Sequence, residues 1–290
     1  MAFDTMEGRI VVLTGATGGI GKAAAIALAR SGASVVLVCR DRARGEALQA
    51  EIREATGKET DLFLADLGVQ AEVRRVAGEL LGRYPRIHVL INNAGLVNLE
   101  REVTVDGIEA TLAVNHLGPF LLTNLLLERL RESAPARIVN VSSDAHRFAP
   151  LDLDDLQNER RYGWMRVYGQ SKLCNILFTR ELSRRLAGSG VTVNSVHPGA
   201  VATGLGKNNG VWAKRIIGLL KPFFLTPEQG ADTAVYLASA RELEGVSGEY
   251  YVKRKVKRPA AHALDDVTAR KLWERSEALT GLPADKASAG

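Results

Sequence analysis

The sequence predicts a single doubly wound α/β domain, in which a parallel sheet of about seven strands carries helices on both faces. Three observations predict this fold. Short β-branched apolar runs alternate with longer helical segments along most of the chain, and the first run leads into a glycine-rich turn and an alanine-rich helix. No internal repeat or linker divides the 290 residues. We therefore take residues 1–290 as one domain, with a core at 8–255, a substrate lid at 203–225 and a C-terminal helical extension at 256–290.

Composition narrows the class of protein. Hydrophobic residues make up 46% and charged residues 24%, as in soluble globular proteins. No uninterrupted apolar run approaches the ~20 residues that span a bilayer, and residues 1–9 lack the basic and apolar regions of a signal peptide. Cys39 and Cys174 each lie in an apolar run, which favours buried thiols over a disulfide. We therefore expect a cytoplasmic protein with no membrane span.

The net charge of +5 is partly local, because Lys253-Arg-Lys-Val-Lys-Arg258 places five cations in six residues. This stretch is either a patch for nucleic acid or an anionic membrane, or the solvated end of a strand. No aromatic residue is interleaved to stack on bases. We favour the solvated strand end and expect no nucleic-acid partner.

The chain opens with a pattern that is typical of dinucleotide binding. Residues 9–14 predict a buried parallel strand, which is followed by Gly15-Ala-Thr-Gly-Gly-Ile-Gly21 and a helix at 22–30. Glycines at positions 15, 19 and 21 permit the turn, the close approach of a phosphate and tight helix packing. The unpaired N–H groups and positive dipole end of the helix can then hold a pyrophosphate.

The second strand, residues 34–39, should end at the adenosine ribose of that ligand. Position 39 is a cysteine, so the carboxylate that binds a ribose 2′-hydroxyl is absent there. Arg40 can pair with a 2′-phosphate through its planar guanidinium, or it can be a surface arginine before a helix that Asp41 caps. We favour NADP(H) over NAD(H), while Asp41 would reach a ribose if the strand end is shifted.

The third and fourth strands continue the alternation. A charged helix at 41–56 precedes the third strand at 60–65, and Asp66 at its end can either meet the adenine or cap the helix at 69–83. The fourth strand, 87–91, ends in Asn92-Asn-Ala-Gly95. Amides and small residues there suit a chain that passes close to a ligand.

The next helix, residues 107–131, should be interrupted near Asn115-His-Leu-Gly-Pro119. Pro119 has no N–H, so a kink or a freed carbonyl at Asn115 is expected. The fifth strand follows at 137–142. Residues 146–167 then form a long polar loop, and loops of this length are usually functional.

The helix from about Val167 to Leu186 carries Tyr168 and Lys172, which lie four residues apart and so share a face. The ammonium should lower the pKa of the phenol, which can then exchange a proton near neutral pH. Alcohol–carbonyl interconversion needs such a group. The helix also carries an apolar band wider than one sheet face needs, which suggests a homodimer or homotetramer. The band comprises Leu173, Cys174, Leu177, Phe178, Leu182 and Leu186.

The last third of the chain completes the sheet. A sixth strand at 191–196 precedes His197-Pro-Gly199, and residues 203–224 mix glycine, basic and bulky apolar residues as a lid would. Thr226-Pro-Glu228 starts another helix with proline at its first position. A seventh strand at 248–252 and an amphipathic helix at 265–279 follow.

In this order the motifs resemble those of the short-chain dehydrogenase/reductase family, and some stretches are similar to its retinol dehydrogenase-like branch. The long step from Ser143 to Tyr168 also matches that branch. The family motifs are Thr14-Gly-Ala-Thr-Gly-Gly-Ile-Gly21, Asp66, Asn92-Asn-Ala-Gly95, Asn115, Ser143, Tyr168 with Lys172, and Pro198-Gly-Ala-Val-Ala-Thr203. The branch-like stretches are Asn115-His-Leu-Gly-Pro-Phe120, Ser171-Lys-Leu-Cys-Asn-Ile-Leu-Phe178, Ser195-Val-His-Pro-Gly199 and Gly248-Glu-Tyr-Tyr251.

The resemblance implies a Rossmann-type fold and a set of catalytic roles. Tyr168 would be the general acid in reduction and the base in oxidation, and Ser143 would donate to the substrate oxygen. Lys172 would hold the nicotinamide ribose and favour the phenolate, and Asn115 would hold a water linked to Lys172. The implied cofactor contacts come from Gly15, Thr17, Gly19, Ile20, Gly21, Arg40, Asp66, Leu67, Asn92, Ala94, Gly95, Tyr168, Lys172, Pro198, Gly199, Val201 and Thr203.

The sequence leaves alternatives open for individual residues and for the function. Ser142 competes with Ser143, and the two point to opposite sides of an extended strand; the family pattern favours Ser143. His146 is expected to be a solvated loop residue rather than a catalyst, and His197 to be structural.

The five histidines show no paired metal spacing, so we expect no metal. A catalytically silent NADP(H)-binding sensor or scaffold is the alternative function, which the complete catalytic set disfavours.

The substrate is expected to be a small lipophilic alcohol or carbonyl, such as an isoprenoid aldehyde, a steroid or an aromatic ketone. Bulky apolar residues before Tyr168 and within the lid suggest an apolar pocket wall. They are Trp164, Met165, Val167, Val211-Trp212 and residues 216–224.

Overall fold

The computed structural model describes residues 3–200 and 225–283, which form one sheet with helices on both faces. Val201, Thr203 and nearly all of the predicted lid at 203–225 therefore lie outside the described residues. The strands are β1 Ile10–Thr14, β2 Ser34–Cys39, β3 Asp61–Leu64, β4 Val89–Asn92, β5 Ala136–Val141, β6 Val191–His197, β7 Tyr250–Val252 and β8 Lys255–Val256. The helices are α1 Gly19–Arg30, α2 Arg42–Thr56, α3 Gln70–Arg83, α4 Ala110–Glu132, α5 Trp164–Arg185, α6 Pro227–Ser239 and α7 Asp266–Thr280.

The sheet has the order β3-β2-β1-β4-β5-β6-β7-β8. The strands from β1 to β7 pair in parallel, which confirms the predicted doubly wound parallel sheet. After β1 the chain adds β2 and β3 on one side of the sheet, and after β4 it adds the remaining strands on the other side. This reversal opens a crevice at the carboxyl ends of β1 and β4, where such sheets bind ligands.

An eighth strand was not predicted. It pairs antiparallel with β7 through a turn at Lys253 and Arg254, whose φ angles are 51° and 59°. The basic stretch at 253–258 is thus an exposed hairpin at the sheet edge, in line with the solvated strand end. Within it, Arg254 is held by Asp232, with Nε 2.7 Å from a carboxylate oxygen, and lies over the ring of Phe3.

The two faces of the sheet form separate cores because side chains alternate along each strand. On β1, Val11 and Leu13 pack in one core with α1 and α6, and Val12 packs in the other with α3, α4 and α5. The side chains of Val11, Val12 and Leu13 are fully buried. The near-continuous apolar strands in the sequence follow from this burial on both faces.

Helix α4 contains the predicted interruption. Its first turn, Ala110–Leu112, leads into a π-helical turn at Ala113–Leu117 and then into regular helix at Gly118–Glu132. Among the described helices, α4 is the one that is long and apolar enough to cross a membrane by composition. Of its most apolar window, 72% is buried inside the protein, as expected of a core helix.

The segment between β5 and α5 differs from the predicted irregular loop. It contains two short 3-10 helices, Asp144–Phe148 and Leu153–Asp155, and α5 begins at Trp164 rather than near Val167. The acids of this segment order it locally. For example, the Asp155 carboxylate accepts hydrogen bonds from the N–H groups of Glu159, at 2.8 Å, and Arg160, at 3.2 Å.

The C-terminal helix α7 covers the apolar band of α5. Trp273 packs edge-on against Phe120 with ring centroids 4.9 Å apart, and Phe178 lies 5.8 Å away on the α5 side. Asp266 at the start of α7 accepts a 2.8 Å hydrogen bond from Arg180. The band is therefore buried within one chain, and the reason for expecting a homodimer or homotetramer was wrong. A sequence pattern shows that a face is buried but not which segment buries it.

Candidate active site

The marked residues of the described chain meet at the carboxyl edge of the sheet. Gly15 follows β1, Arg40 follows β2, Asp66 lies just beyond β3, and Ser143 follows β5. The parallel strands place these ends side by side, as predicted. Tyr168 and Lys172 approach the same edge from the second and third turns of α5.

The glycine-rich turn fits a dinucleotide. Gly15 has a φ of 64°, and a Cβ there would lie 2.7 Å from the Cα of Ala94, so only glycine is accommodated. The N-cap of α1 is Gly18, which makes no side-chain capping bond, and the first turn contains no acid. The N–H groups of Gly19, Ile20 and Gly21 at this uncapped end suit the negative charge of a pyrophosphate.

Asn93 lies in a motif noted from the sequence but is absent from the predicted cofactor contacts, and it joins this turn to β4. Its Nδ2 donates to the carbonyl oxygens of Thr14, at 3.0 Å, and Gly15, at 3.1 Å. The Thr14 hydroxyl oxygen in turn accepts from the N–H of Ala94 at 3.1 Å. The segment after β4 therefore holds the turn after β1 in place, and the two segments lie on opposite sides of the crevice.

Asn92, predicted as a cofactor contact, turns away from the crevice. Its side chain is buried, and Nδ2 donates to the Thr123 hydroxyl at 3.0 Å and to Asn140 Oδ1 at 2.8 Å. The side chain of Asn92 therefore belongs to the interior between β4, β5 and α4. Asn92 lies two residues after Leu90 on β4, so the two side chains point to the same face of the sheet, and Leu90 packs in the core with α3 and α4. This two-residue spacing was the signal in the sequence that the Asn92 side chain enters the interior.

The adenosine end of the crevice carries charged side chains. Arg40 is mostly exposed and its Nη1 lies 3.2 Å from Asp66 Oδ2. Asp41 caps α2 by accepting from the N–H of Arg44 at 3.0 Å, so its carboxylate is already engaged. Arg44 was missed by sequence reasoning: its Nη2 donates to the carbonyl oxygen of Thr17 at 2.9 Å and so fixes the glycine-rich turn.

Asp66 and Leu67 shape the end of β3. Besides its pair with Arg40, Asp66 accepts from the N–H of Gly68 at 2.8 Å. It does not cap α3, whose N-cap is Val69. Leu67 is buried, and its carbonyl oxygen lies against Gly118 of α4, where a Cβ would collide with it.

Ser143 is the serine that faces Tyr168. The hydroxyl of Ser142 is buried and donates to the Lys172 carbonyl oxygen at 2.7 Å, so it supports α5. The Ser143 oxygen accepts from the N–H of Ala145 at 3.2 Å, which leaves its one proton to donate. The Ser143 hydroxyl lies in hydrogen-bonding reach of the Tyr168 phenol.

Lys172 is buried next to Tyr168. Its Nζ lies 5.6 Å from the centre of the tyrosine ring and donates to the Val141 carbonyl oxygen at 3.2 Å. Burial lowers the pKa of Lys172 to about 8. A Cβ on Gly95 would lie 3.3 Å from Nζ, so glycine keeps open the space in front of the ammonium.

Asn115 supports this region from the π-helical turn of α4. Its side chain accepts from the N–H of Leu96 at 2.8 Å and donates to the Leu96 carbonyl and the Ser171 hydroxyl, both at 3.0 Å. The side-chain amide of Asn115 is thus bonded to protein groups, and the backbone carbonyl is the other group of this residue that could accept from a water. Pro119, four residues later, cannot supply the N–H that an α-helix would direct to that carbonyl.

The pKa of Tyr168 differs from the prediction. Burial raises the pKa of the phenol above its ordinary value, and the hydrogen bond from Ser143, which lowers it, does not outweigh burial. The predicted lowering by Lys172 is therefore wrong for the protein without cofactor. The cause is desolvation, which disfavours the charged phenolate and depends on tertiary packing rather than on helix spacing.

His146 is not the solvated loop residue that was predicted. Its side chain is fully buried, and its two ring nitrogens bond to the backbone of Ser143 and Ala260. Burial in a tertiary contact with a segment far along the chain is not visible in local sequence. His197 is structural, as predicted: its Nδ1 accepts from the N–H of Asp144 at 3.2 Å.

The far side of the site is partly described. Pro198 and Gly199 follow β6, and Gly199 has a φ of 88°. The N–H of Leu225 donates to the Ala200 carbonyl at 2.8 Å, so the residues flanking segment 201–224 lie together. Within residues 3–200 and 225–283, no group of three or more His, Cys, Asp and Glu side chains is arranged to hold a metal ion.

Comparison with known proteins agrees with this geometry. A family model described as short chain dehydrogenase matches residues 9–214. Retinol dehydrogenase 14 of Homo sapiens is 46% identical over 96% of this chain and 88% of its own length. The crystal structure of an uncharacterised protein from Mycobacterium paratuberculosis is 35% identical, covers 96% of each chain and superposes with a TM-score of 0.79. The Pseudomonas aeruginosa RhlG/NADP active-site complex is 27% identical over 85% of this chain and 94% of that chain, with a TM-score of 0.68.

Proposed function

Because the chain belongs to the short-chain dehydrogenase family, in its retinol dehydrogenase-like branch, we propose that this oxidoreductase uses NADP(H) to interconvert a lipophilic alcohol and its carbonyl. One observation carries the proposal. The hydroxyls of Ser143 and Tyr168 lie together, with the buried ammonium of Lys172 beside the tyrosine ring. Carbonyl reduction requires a proton donor, a hydrogen-bond donor to the developing oxyanion and a fixed cation.

The chain's own residues handle the proton and the charge. When bound, the nicotinamide cofactor supplies or accepts the hydride. Ser143 donates a hydrogen bond to the substrate oxygen, where negative charge grows during reduction. Tyr168 gives that oxygen its proton, and Lys172 stabilises the phenolate left behind. The raised pKa of Tyr168 keeps the phenol protonated at neutral pH, as the acid in carbonyl reduction must be.

Preference for NADP(H) is supported by the adenosine end of the crevice. Arg40 stands exposed at the end of β2, and Asp41, the rival ribose partner, is engaged as the cap of α2. A guanidinium that is free to turn from Asp66 can form charge-assisted hydrogen bonds with a 2′-phosphate. NAD(H) has no such group, so the arginine would discriminate between the two.

Arg40→Ala should therefore raise KM for NADPH by about 10- to 100-fold, the value of one or two charge-assisted hydrogen bonds, and change KM for NADH by less than about threefold. Arg42→Ala is the matched control, because it removes an exposed arginine that pairs with Glu46 within α2. Initial rates with both cofactors decide the point. Equal losses for NADPH and NADH, or the same loss in the Arg42 variant, would show that Arg40 does not contact a 2′-phosphate.

A lipophilic substrate is supported by the first turn of α5. Trp164 and Met165 are 43% and 66% exposed and lie one turn before Tyr168, on the side of the helix that faces the site. Val167, also predicted in the pocket wall, is buried and presents no such surface. Two bulky apolar side chains at the mouth would bury the apolar part of a substrate.

The test of the function is a panel of carbonyl compounds assayed with NADPH and NADH. We expect kcat/KM with NADPH to be at least ~10-fold higher for isoprenoid aldehydes, steroids or aromatic ketones than for small polar carbonyls, the value of a few buried methylene groups. Tight NADPH binding without turnover of any compound would favour a sensor or scaffold. Higher kcat/KM for small polar carbonyls would exclude the lipophilic substrate class.

A cytoplasmic location is also part of the proposal. Cys39 and Cys174 are both buried free thiols, which suits a reducing compartment. Fractionation of cells expressing the full chain would test it.

A further inference from the structure

His146 connects the catalytic serine with the C-terminal part of the chain. It lies three residues after Ser143 in the short helix Asp144–Phe148, and its side chain has no exposed surface. Its Nδ1 is 2.7 Å from the Ser143 carbonyl oxygen, and its Nε2 is 3.1 Å from the backbone nitrogen of Ala260. A backbone N–H can only donate, so Nε2 is the acceptor and the ring proton sits on Nδ1, directed at Ser143.

The ring is held neutral in this arrangement. Burial lowers the pKa of His146, and Arg147 and His262 lower it further, against opposing effects of Ser143 and Asp144. The ring of Tyr250 packs edge-on with its centroid 5.2 Å away. A second ring proton would lie on Nε2 and face the N–H of Ala260, and two donors cannot bond to each other. His146 therefore acts as a fixed donor and not as a switch.

The C-terminal segment fastens the same short helix at other points. His262 Nε2 lies 2.8 Å from the His146 carbonyl oxygen, and Arg147 donates to the Arg258 carbonyl at 3.1 Å. The Tyr250 hydroxyl donates to Asp144 at 2.9 Å. β7 and the chain that follows it thus hold the backbone around Ser143 in place. The Nδ1–H of His146 is the side-chain donor to the Ser143 carbonyl oxygen, which also accepts from the backbone N–H of His146 at 3.2 Å.

We propose that His146 is a positioning residue for Ser143, whose backbone it fixes through the Nδ1–H···O=C bond so that the serine hydroxyl points at the substrate oxygen. This inference rests on the proposed function. A donor to a developing oxyanion must be placed to within a few tenths of an ångström to be effective. The hydroxyl oxygen of Ser143 already accepts from the N–H of Ala145. Movement of the Ser143 backbone would therefore redirect the single proton of that hydroxyl.

Two substitutions separate the ring nitrogens. The side chain of His146→Asn places an N–H near the position of Nδ1 and can keep the bond to Ser143. That of His146→Gln reaches toward the position of Nε2 and can keep only the bond to Ala260. With saturating NADPH, we expect His146→Gln to lower kcat by about 10- to 100-fold and His146→Asn by less than about threefold, because misplacement of a catalytic group by 1 Å costs up to 10²-fold. KM for NADPH should not change in either. A merely structural role predicts equal losses.

A double-mutant cycle tests whether His146 acts through Ser143. If it does, adding His146→Gln to Ser143→Ala lowers kcat no further. An undiminished His146→Gln, equal losses in both His146 variants, or an additive loss in the Ser143→Ala background would overturn the proposal. A Ser143→Ala variant with wild-type kcat would instead refute the serine's role in the proposed function. Should His146→Gln not fold, ¹⁵N NMR of the wild-type ring must show the proton on Nδ1; a proton on Nε2 would overturn the proposal.

Discussion

Tyr168→Phe should lower kcat by about 10²- to 10⁴-fold and leave the affinity for NADPH within about threefold of wild type. The substitution removes one oxygen from a residue whose ring remains in place. The phenol is the acid that protonates the substrate oxygen, and the neighbouring hydroxyl of Ser143 can donate a hydrogen bond but cannot give up its proton at neutral pH. The loss should therefore appear in the chemical step and not in cofactor binding.

Single-turnover rates with pre-bound NADPH, together with fluorescence titration of NADPH, would measure the two quantities separately. Tyr162→Phe is the matched control, because the Tyr162 hydroxyl donates to the Asn98 carbonyl at 2.8 Å, away from the described catalytic set. That variant should retain kcat within about twofold, as expected when a part-buried hydrogen bond outside the catalytic set is lost. Near wild-type turnover by Tyr168→Phe would refute the assignment of Tyr168 as the acid.

The layout of the site was predictable because each marked residue directly follows an apolar run. Gly15, Arg40, Asp66 and Ser143 come after β1, β2, β3 and β5, and parallel strands bring their carboxyl ends to one edge. Strand position along the chain therefore translates into position in space without any knowledge of side-chain packing. The helical spacing of Tyr168 and Lys172 is equally local and placed them together correctly.

What the sequence could not predict depends on contacts between distant segments. Asn92 and Asn93 are adjacent amides, and the sheet register decides that Asn93 braces the glycine-rich turn while Asn92 enters the interior. His146 bonds to Ala260, a partner 114 positions later. The apolar band of α5 is matched by α7 near the other end of the chain. In each case the residue type was visible, but its partner was not.

Lys172 shows how the same burial that serves catalysis should cost stability. The side chain is 3% exposed, and its hydrogen-bond acceptor is an uncharged carbonyl oxygen, that of Val141. Burial lowers its pKa from 10.5 to about 8, so the unfolded chain binds its proton more tightly than the folded protein does. Below pH 8 the full destabilisation is present. It declines between pH 8 and 10.5 and is absent above that range.

Lys172→Met should accordingly inactivate the enzyme and stabilise the cofactor-free protein. We expect kcat/KM to fall about 10²-fold or more, because no cation remains to stabilise the phenolate. At pH 7 the free energy of unfolding should rise by up to roughly 3 kcal/mol, the value of the pKa difference, and this gain should shrink toward zero by about pH 10.5. The Val141 carbonyl keeps a donor in Asn175, whose Nδ2 lies 3.1 Å away, so the substitution orphans no buried acceptor there.

Urea unfolding of the cofactor-free wild type and variant at pH 7 and pH 10 measures both the size and the sign of the effect. Lys22→Met is the control, because Lys22 is a half-exposed lysine on α1 paired with Glu51, and its removal should change unfolding little at either pH. A Lys172→Met variant that is less stable than wild type at pH 7, or equally stabilised at pH 7 and pH 10, would contradict the burial account. A gain confined to the lower pH would mean that the protein retains a destabilising buried ammonium because the reaction at Tyr168 requires it.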